Sequence, residues 1–339
     1  MQGNGPREPS DGLIRRGKVL LIVPYFGSFG PWVPLYLHSL ARQQTVDLLL
    51  LCDTEPPPLP ANARRVAMTF DQVRALATAR LRTTVRLHRI RNLCDLKPAY
   101  GLVFEDFTEG YEYWAFGDED VLYGDIDGML APHLDGAADL VIPGTNSARM
   151  QGSTQGHLTV VRNHPRTNSL AIRDPAYTRV LASDEHWAYD ETSWRHGGEV
   201  SSFTKIVKEA EARGELSIRW GLPSITHLPR RGRSYAYDGR SLREDTGREI
   251  LYYHWGNMRH RKMQWPTPEE ARDGFAFDRY GFYDPELDGA RLMARRVTGR
   301  AREVASDARR RFRKWRGGGG RGAGPVRVAV AACRKLTRS

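Results

Sequence analysis

The sequence lacks long apolar runs, paired cysteines and a phosphate-binding Gly-Lys-Ser/Thr loop. No run approaches the ~18 consecutive apolar residues of a membrane-spanning helix. Cys52, Cys94 and Cys333 have neither pairing nor metal-binding spacing, which fits a reducing compartment. The loop after the first predicted strand, Pro24–Gly27, is not a Gly-x-Gly-x-x-Gly dinucleotide fingerprint. These observations argue against a membrane-spanning protein, a disulfide framework and a Gly-Lys-Ser/Thr phosphate loop.

Residues 1–17 do not contain the apolar core of a signal peptide. They are polar and rich in Gly, Pro and Arg, so we expect a disordered N-terminus and a cytoplasmic location. The chain has 339 residues, of which 40% are hydrophobic and 27% charged. That length and composition suit a soluble protein with one large domain, or two small ones, and a sizeable core.

Basic charge is concentrated at the C-terminal end. Residues 291–339 hold 16 Lys/Arg and two acids, a net charge of +14, whereas residues 1–290 hold 35 Lys/Arg and 38 Asp/Glu, a net charge of −3. Residues 291–316 have the spacing of a basic amphipathic helix, and glycines 317–320 interrupt it. We expect this tail to meet an anionic surface, peripherally at the inner face of the membrane; a disordered, solvated tail is the alternative. Because the globular part is net acidic, nucleic acid is not an expected partner.

Apolar runs that alternate with helical spacing predict an α/β fold. Lys18 to Pro24 and Val46 to Cys52 are nearly continuous apolar runs, typical of strands buried on both faces. The alternation predicts an α/β domain with a mainly parallel sheet. Further strands are predicted over residues 66–70, 113–116, 139–143, 156–163 and 251–254, helices over 32–42, 70–81, 92–100 and 203–213, and a loop-rich region from Pro266 to about Gly289.

Five carboxylates occur within ten residues just after a short apolar strand, at Asp118, Glu119, Asp120, Asp125 and Asp127. Each pair about 4 Å apart would cost on the order of 4 kcal/mol at an effective dielectric constant of about 20. Alternation along an extended segment places Asp118 and Asp120 on one side. Two hard oxygen ligands with open positions suit Mg²⁺ or Mn²⁺ held together with a substrate phosphate. A solvated acidic turn is the alternative.

Ligands of parallel α/β sheets sit outside the carboxyl ends of the strands. Three predicted strand ends are therefore expected to lie together: Pro24–Gly27, Cys52–Asp53 and residues 117–120. The glycine-containing loop would let backbone approach a ligand, and Asp53 could bond a ribose or a base. Each signal is weak by itself.

Two other segments carry candidate ligand contacts. Lys97 lies near the N-terminus of the predicted helix 92–100, where a cation is unfavourable unless a phosphate or carboxylate is close. Asp95 is predicted to cap that helix. Residues 187–191, Trp-Ala-Tyr-Asp-Glu, combine aromatic rings with acids in the manner of a sugar-binding site. Plain core packing of those rings is the alternative.

Seven short motifs follow one another along the chain: Pro24–Gly27, Cys94–Tyr100, Asp118–Asp120, Gly124–Ile126, Gly156–Leu158, Tyr189–Glu191 and Tyr253-His254. Together they resemble a family of glycosyltransferase-like proteins encoded among bacterial surface-polysaccharide genes. The resemblance spans roughly residues 18–265 and departs from the family pattern in Glu119, which replaces an apolar residue, and in the Trp that follows His254. It implies a GT-A-like domain over residues 18–290, with a Rossmann-type sheet that is mixed but mainly parallel and flanked by helices.

The resemblance implies a GT-A-type enzyme that moves a sugar from a nucleotide-sugar donor to a cell-surface glycan or a lipid-linked acceptor. A metal and nearby cations would stabilise the charge that develops on the leaving group. A nucleotidyltransferase, or a non-catalytic protein that binds polyanions or membranes, are the alternatives. The implied residues are Asp118, Asp120 and His254 for Mn²⁺ or Mg²⁺; Pro24, Tyr25, Phe26, Gly27, Asp53, Lys97, Asp118 and His157 for the donor; and Asp190 and Glu191 as catalytic residues.

Overall fold

The computed structural model describes residues 15–193, 201–256, 265–287 and 289–301. Most of the predicted N-terminal segment, and the tail beyond residue 301, lie outside the described residues. Residues 289–301 are helical, where the predicted amphipathic helix begins. Within the described ranges, none of the helices has the length and apolar character needed to cross a bilayer.

A seven-stranded sheet forms the centre of the molecule. Its strands, in order across the sheet, are β3 (Ala63–Ala67), β2 (Val46–Cys52), β1 (Arg15–Tyr25), β4 (Tyr111–Gly117), β7 (Leu158–Arg162), β6 (Leu140–Pro143) and β8 (Ile218–Leu222). Strands β1 to β4 run parallel to one another, β6 and β8 are parallel, and β7 runs antiparallel to both of its neighbours. The predicted mixed, mainly parallel sheet is therefore confirmed.

The apolar strands are buried because helices cover both faces of this sheet. In β1, Leu20 and Ile22 belong to a cluster on one face, whereas Leu21 and Val23 belong to a cluster on the other. Truncating one such buried leucine to alanine typically costs about 2–5 kcal/mol. The helices are α1 (Val33–Leu40), α2 (Phe70–Leu81), α3 (Leu93–Leu96), α4 (Tyr100–Val103), α5 (Glu105–Thr108), α6 (Ile126–Met129), α7 (Pro165–Asn168), α8 (Pro175–Leu181), α9 (Phe203–Ala212) and α10 (Pro268–Asp273).

Two smaller sheets are formed mainly by the second half of the chain, joined by β5 from the first half. One has the order β5 (Val121–Tyr123), β13 (Tyr252–His254), β9 (Ser224–Ile225). The other has the order β12 (Glu249–Ile250), β11 (Leu242–Glu244), β10 (Ser234–Tyr237), β14 (Phe275–Asp278), β15 (Gly281–Tyr283). The prediction of a loop-rich region after Pro266 is wrong, because α10, β14 and β15 lie within it. The two smaller sheets pack together through aromatic rings: Phe277 of β14 stacks on Tyr253 of β13, with ring centroids 4.7 Å apart.

Four sequence predictions need correction in detail. β1 begins at Arg15, so residues 15–17 belong to a strand rather than to a disordered N-terminus. The strand predicted over residues 66–70 is Ala63–Ala67. The helix predicted over residues 92–100 is interrupted by a 3-10 turn, Lys97–Ala99, where Pro98 has no N–H to donate. Asp95 does not cap that helix: its carboxylate accepts the backbone N–H groups of residues 187 and 189, at 2.9 and 2.8 Å.

Candidate active site

Strand pairing brings two distant segments of the chain to the acidic stretch after β4. The antiparallel pairing of β4 with β7 places Gly117 opposite Leu158, so His157 lies beside Asp118. The antiparallel pairing of β5 with β13 places Val121 opposite His254, so His254 lies beside Asp120. Both histidines therefore reach the carboxyl edge of the parallel strands, where ligands of such sheets bind.

Asp118, His157 and His254 form a cluster that could hold a metal ion. Each offers one ligand atom, and these atoms all lie within 4.8 Å of one another. The two imidazole rings are 3.8 Å apart, centroid to centroid. His157 Nδ1 is buried without a hydrogen-bond partner among the described residues, and a buried unpaired polar atom costs free energy. The three side chains could bind a divalent cation together.

Asp120 lies behind this cluster, against His254. Its Oδ1 is 3.1 Å from His254 Nε2, and its backbone oxygen accepts the N–H of Trp255, also at 3.1 Å. Burial lowers the pKa of His254, but the carboxylates of Asp120 and Asp118 and the backbone oxygen of Thr226 together outweigh it and leave the pKa above its usual value. Gly256 is required here by close approach, because a Cβ would lie 2.5 Å from His254 Nε2.

Lys97 is a buried cation beside Asp118. Its Nζ donates to Asp118 Oδ1 at 2.5 Å and to the Gly156 oxygen at 2.9 Å, and lies 3.9 Å from Asp190 Oδ2. Burial lowers the pKa of Lys97, yet Asp118 and the neighbouring Cys94, Asp190 and Tyr100 together outweigh it, so the pKa stands well above its usual value. Burial likewise raises the pKa of Asp118, but Lys97 and the two histidines hold that pKa at about 2. Both groups are therefore charged at neutral pH.

Asp190 and Glu191 complete the cluster on its other side. Burial raises the pKa of Asp190 well above its usual value, and Lys97 opposes this only in part. Burial also raises the pKa of Glu191, whose Oε1 accepts the Gly156 N–H at 3.3 Å. A carboxyl group with an elevated pKa can take up or release a proton near neutral pH. Both predicted catalytic residues thus lie next to the Lys97–Asp118 pair.

The aromatic part of the 187–191 segment is less available to a sugar than the sequence indicates. Tyr189 is fully buried, its ring stacks on Tyr177 at 4.5 Å, and its hydroxyl donates to Asp174 Oδ2 at 2.8 Å. Asp95 holds the backbone of this segment in place, because its carboxylate accepts the N–H groups of Trp187 and Tyr189. Core packing, the alternative, is the role of Tyr189.

The ends of β1 and β2 form a second part of the same edge. Gly27 has a φ of +94°, and its N–H donates to Asp53 Oδ1 at 3.1 Å. Pro24 and Tyr25 are the last residues of β1, and the Tyr25 ring stacks on Phe29 at 4.6 Å. Phe26 points into the core instead, where it is 6% exposed and meets Phe70 edge-on at 5.5 Å. Of the predicted donor residues here, Phe26 is the one whose ring is withdrawn from the surface.

Sequence reasoning missed the two glycines that fit between the charged side chains. A Cβ on Gly156 would lie 2.5 Å from Asp190 Oδ2, as one on Gly256 would crowd His254. A glycine at the start or end of a strand signals close approach, so this signal was present in the sequence. It also missed the aromatic groove beside Trp265 and Phe282, because that region was predicted to be loop.

More than half of the chain matches a known protein family. Residues 21–218 match a protein family described as a family of unknown function (DUF6625), and the chain belongs to it. No curated protein matches the sequence at a significant level.

Among solved structures, the chain is similar to crystal structures of the glycosyltransferase GlyE from Streptococcus pneumoniae TIGR4. The apo form matches with a TM-score of 0.31 and 11% identity over 59% of this chain and 44% of GlyE. Another GlyE structure matches with a TM-score of 0.28 and 13% identity over 59% of this chain and 50% of GlyE. The chain thus spans half or less of the length of these structures.

Proposed function

We propose that this protein is a metal-dependent glycosyltransferase of the GT-A type, which moves a sugar from a nucleotide-sugar donor to a glycan or a lipid-linked acceptor. The observation that carries the proposal is the convergence of Asp118, His157 and His254 within 4.8 Å at the carboxyl edge of a mainly parallel sheet. The mixed, largely parallel sheet flanked by helices is compatible with the fold that the resemblance implies.

The residues fit a divalent cation. Asp118, His157 and His254 would hold it, and the unpartnered nitrogen of His157 supplies a donor that protein groups leave unused. Asp120, predicted as a direct ligand, would instead orient His254 through their hydrogen bond. Two imidazole ligands favour a transition-metal cation over Mg²⁺, and of the two predicted cations Mn²⁺ is the transition metal. When bound, the cation would act as a Lewis acid on the donor diphosphate.

The chain's own residues would do the rest. Lys97 would add a fixed positive charge in a buried site, where the leaving diphosphate gains negative charge. Gly27 and Asp53 would bind the nucleoside, with Tyr25 against the base, while Phe26 supports that loop from the core. Asp190 or Glu191 would accept the proton of the acceptor hydroxyl if the reaction inverts the anomeric centre.

The test is binding and turnover of sugar nucleotides. A panel of them with Mn²⁺ should raise the thermal midpoint, since a ligand at 100 times its dissociation constant adds about 2.7 kcal/mol. Asp118→Asn and His157→Gln should abolish both this stabilisation and the release of nucleoside diphosphate. Asp184→Asn, an exposed carboxylate paired with Arg86 on the surface, is the matched control and should behave like wild type.

Metal-dependent donor turnover by Asp118→Asn would contradict the proposal. Release of pyrophosphate from a nucleoside triphosphate, with no turnover of any sugar nucleotide, would instead indicate the nucleotidyltransferase alternative.

We also propose that the tail attaches the enzyme to the inner face of the membrane, because residues 291–339 carry a net charge of +14. Deleting residues 302–339, which hold 12 of the 16 Lys/Arg of that segment, should strongly reduce sedimentation with vesicles that contain anionic lipid and leave donor turnover intact. Undiminished sedimentation after the deletion would contradict this role.

A further inference from the structure

A groove opens beside the candidate active site, between α10 and the β14–β15 hairpin. Its volume is about 630 Å³, within the range of roughly 300–1,000 Å³ that is usual for small-molecule sites. The rings of Trp265, Phe282 and Tyr283 line it. Phe282 and Tyr283 lie at the end of β15, and Trp265 precedes α10. The groove therefore has flat apolar walls on a small antiparallel sheet.

One residue connects this groove to the acidic edge, by which we mean Asp118, Asp120, Asp190 and Glu191 around Lys97. Trp255 follows His254 directly, and its backbone N–H donates to the Asp120 oxygen at 3.1 Å. Its buried ring contacts Trp265 at 5.1 Å and Phe282 at 6.4 Å, centroid to centroid. Trp255 thus lies between the groove walls and the residues next to the cluster of Asp118, His157 and His254.

The polar lining of the groove is acidic. Four carboxylates line it, and none of the described lining residues is Lys or Arg. The Arg295 guanidinium lies over the Tyr283 ring, 4.6 Å from its centroid, but Asp278 neutralises it through an ion pair at 3.0 Å. Two of the four have local roles: Glu270 Oε2 accepts the Thr267 N–H at 2.8 Å, and Asp284 Oδ1 accepts the Glu286 N–H at 2.8 Å. Asp273 and Glu286 are exposed at the rim. Carboxylates accept hydrogen bonds from hydroxyl or ammonium groups and repel phosphate or carboxylate groups.

We propose that this groove binds the acceptor, and that the acceptor is an oligosaccharide without phosphate or carboxylate groups. The inference rests on the proposed glycosyl transfer and specifies its acceptor. Aromatic faces pack against the apolar C–H faces of sugar rings, and carboxylates accept their hydroxyl protons. A glycan in the groove would reach the reacting edge past Trp255.

The first experiment measures binding of neutral tetrasaccharides of glucose, galactose and N-acetylglucosamine, and of the amine-bearing glucosamine tetramer, to the full chain. Tyr283→Ala should weaken binding by about tenfold or more, while Tyr283→Phe, which keeps the ring, should bind like wild type. Failure of every tetrasaccharide to bind at about 10 mM, or binding that Tyr283→Ala leaves unchanged, would overturn the proposal.

The second experiment tests the charge of the ligand. The double variant Asp273→Lys/Glu286→Lys should weaken the amine-bearing tetramer more than the neutral ones, and Glu109→Lys, an exposed carboxylate outside the groove, should change neither. A galacturonate tetramer should fail to displace a bound neutral tetramer. Displacement would overturn the charge assignment, and because competition reports only on the groove, binding of this anion to the basic tail does not interfere.

Donor turnover separates this proposal from the one on which it rests. Tyr283→Ala should keep Mn²⁺-dependent donor hydrolysis while transfer to a bound tetrasaccharide falls. A protein that binds tetrasaccharides in the groove but turns over no donor would support the groove as a glycan site and contradict only the glycosyltransferase function. Loss of hydrolysis and transfer together in Tyr283→Ala would overturn the acceptor role.

Discussion

The acidic edge and the acidic groove use the same kind of side chain in opposite ways. At the edge, the carboxylates of Asp118 and Asp190 lie around the buried ammonium of Lys97 and form ion pairs with it. In the groove, Asp273 and Glu286 are exposed to solvent at the rim. Buried charges must be compensated inside the protein, whereas exposed ones are compensated by water. The comparison implies that changes at the edge alter folding and binding together, and that changes in the groove alter binding alone.

The largest effect should follow from Lys97→Met. This change leaves Asp118 and Asp190 without their shared cation, and breaking a buried pair typically costs about 3–5 kcal/mol. Urea unfolding measures the loss. Lys205→Met, on the exposed side of α9, is the control and should shift stability by no more than about 0.5 kcal/mol. A loss below about 1 kcal/mol for Lys97→Met would show that the buried edge tolerates an uncompensated charge.

The next effect tests binding at the edge. Asp120→Asn weakens the hydrogen bond that holds His254, and loss of such an outer partner usually costs about 10–100-fold in metal affinity. Titration with Mn²⁺ measures it. Asp125→Asn changes a carboxylate of the same acidic stretch whose Oδ1 caps α6 at Gly128, and it should leave the affinity unchanged. Equal Mn²⁺ affinity in Asp120→Asn and wild type would contradict an orienting role.

An intermediate effect is expected at Asp127, whose carboxylate accepts backbone N–H groups instead of pairing with a buried cation. Its Oδ1 accepts the N–H groups of Gln44 and Thr45 at 2.9 and 2.8 Å. Burial raises the pKa of Asp127, but these donors outweigh it and lower the pKa below its usual value. Asp127→Asn should therefore cost about 1 kcal/mol at neutral pH, allowing for solvent screening.

The sign of the pH dependence at Asp127 follows from that lowered pKa. Its contribution is fully present above the unfolded pKa of about 3.9 and is lost as the pH falls through the lower folded value. The stability difference between wild type and Asp127→Asn should therefore narrow as the pH falls from neutral to below 4. Urea unfolding across that range measures it. A difference that stays constant would show that the ionised form is not what the backbone donors stabilise.

The smallest effect should come from the groove. Asp273→Lys and Glu286→Lys should each change the free energy of unfolding by no more than about 0.5 kcal/mol, because water compensates both side chains in the native and unfolded states. Urea unfolding in the same buffer allows direct comparison with Lys97→Met. A loss above about 1 kcal/mol for either variant would remove the distinction between the two regions.

Much of the parallel sheet could be predicted from the sequence because its strands are nearly continuous apolar runs. Val46–Cys52 and Phe70–Leu81 are a strand and a helix with the predicted bounds. The β14–β15 hairpin could not be predicted in this way, since strands of three or four residues are too short for a periodic pattern. Its stability comes from ring contacts with strands that are distant in the chain.

The candidate site was only partly predictable for a related reason. The acidic stretch and its place at the carboxyl edge follow from local pattern. That His157 and His254 meet, with ring centroids 3.8 Å apart, depends on the reversed direction of β7 and on the pairing of β13 with β5. No local spacing encodes the register between strands so far apart. Asp95 shows the converse, since a residue with a capping pattern bonds a loop more than 90 positions away.

Trp255 belongs to the acidic edge through its backbone and to the groove wall through its indole. Two ligands that each displace this residue cannot bind independently. By thermodynamic linkage, the factor by which an occupant of the groove changes cation affinity is the factor by which the cation changes that occupant's affinity. Because both sites share the Trp255 indole, binding of one substrate would change the affinity of the protein for the other.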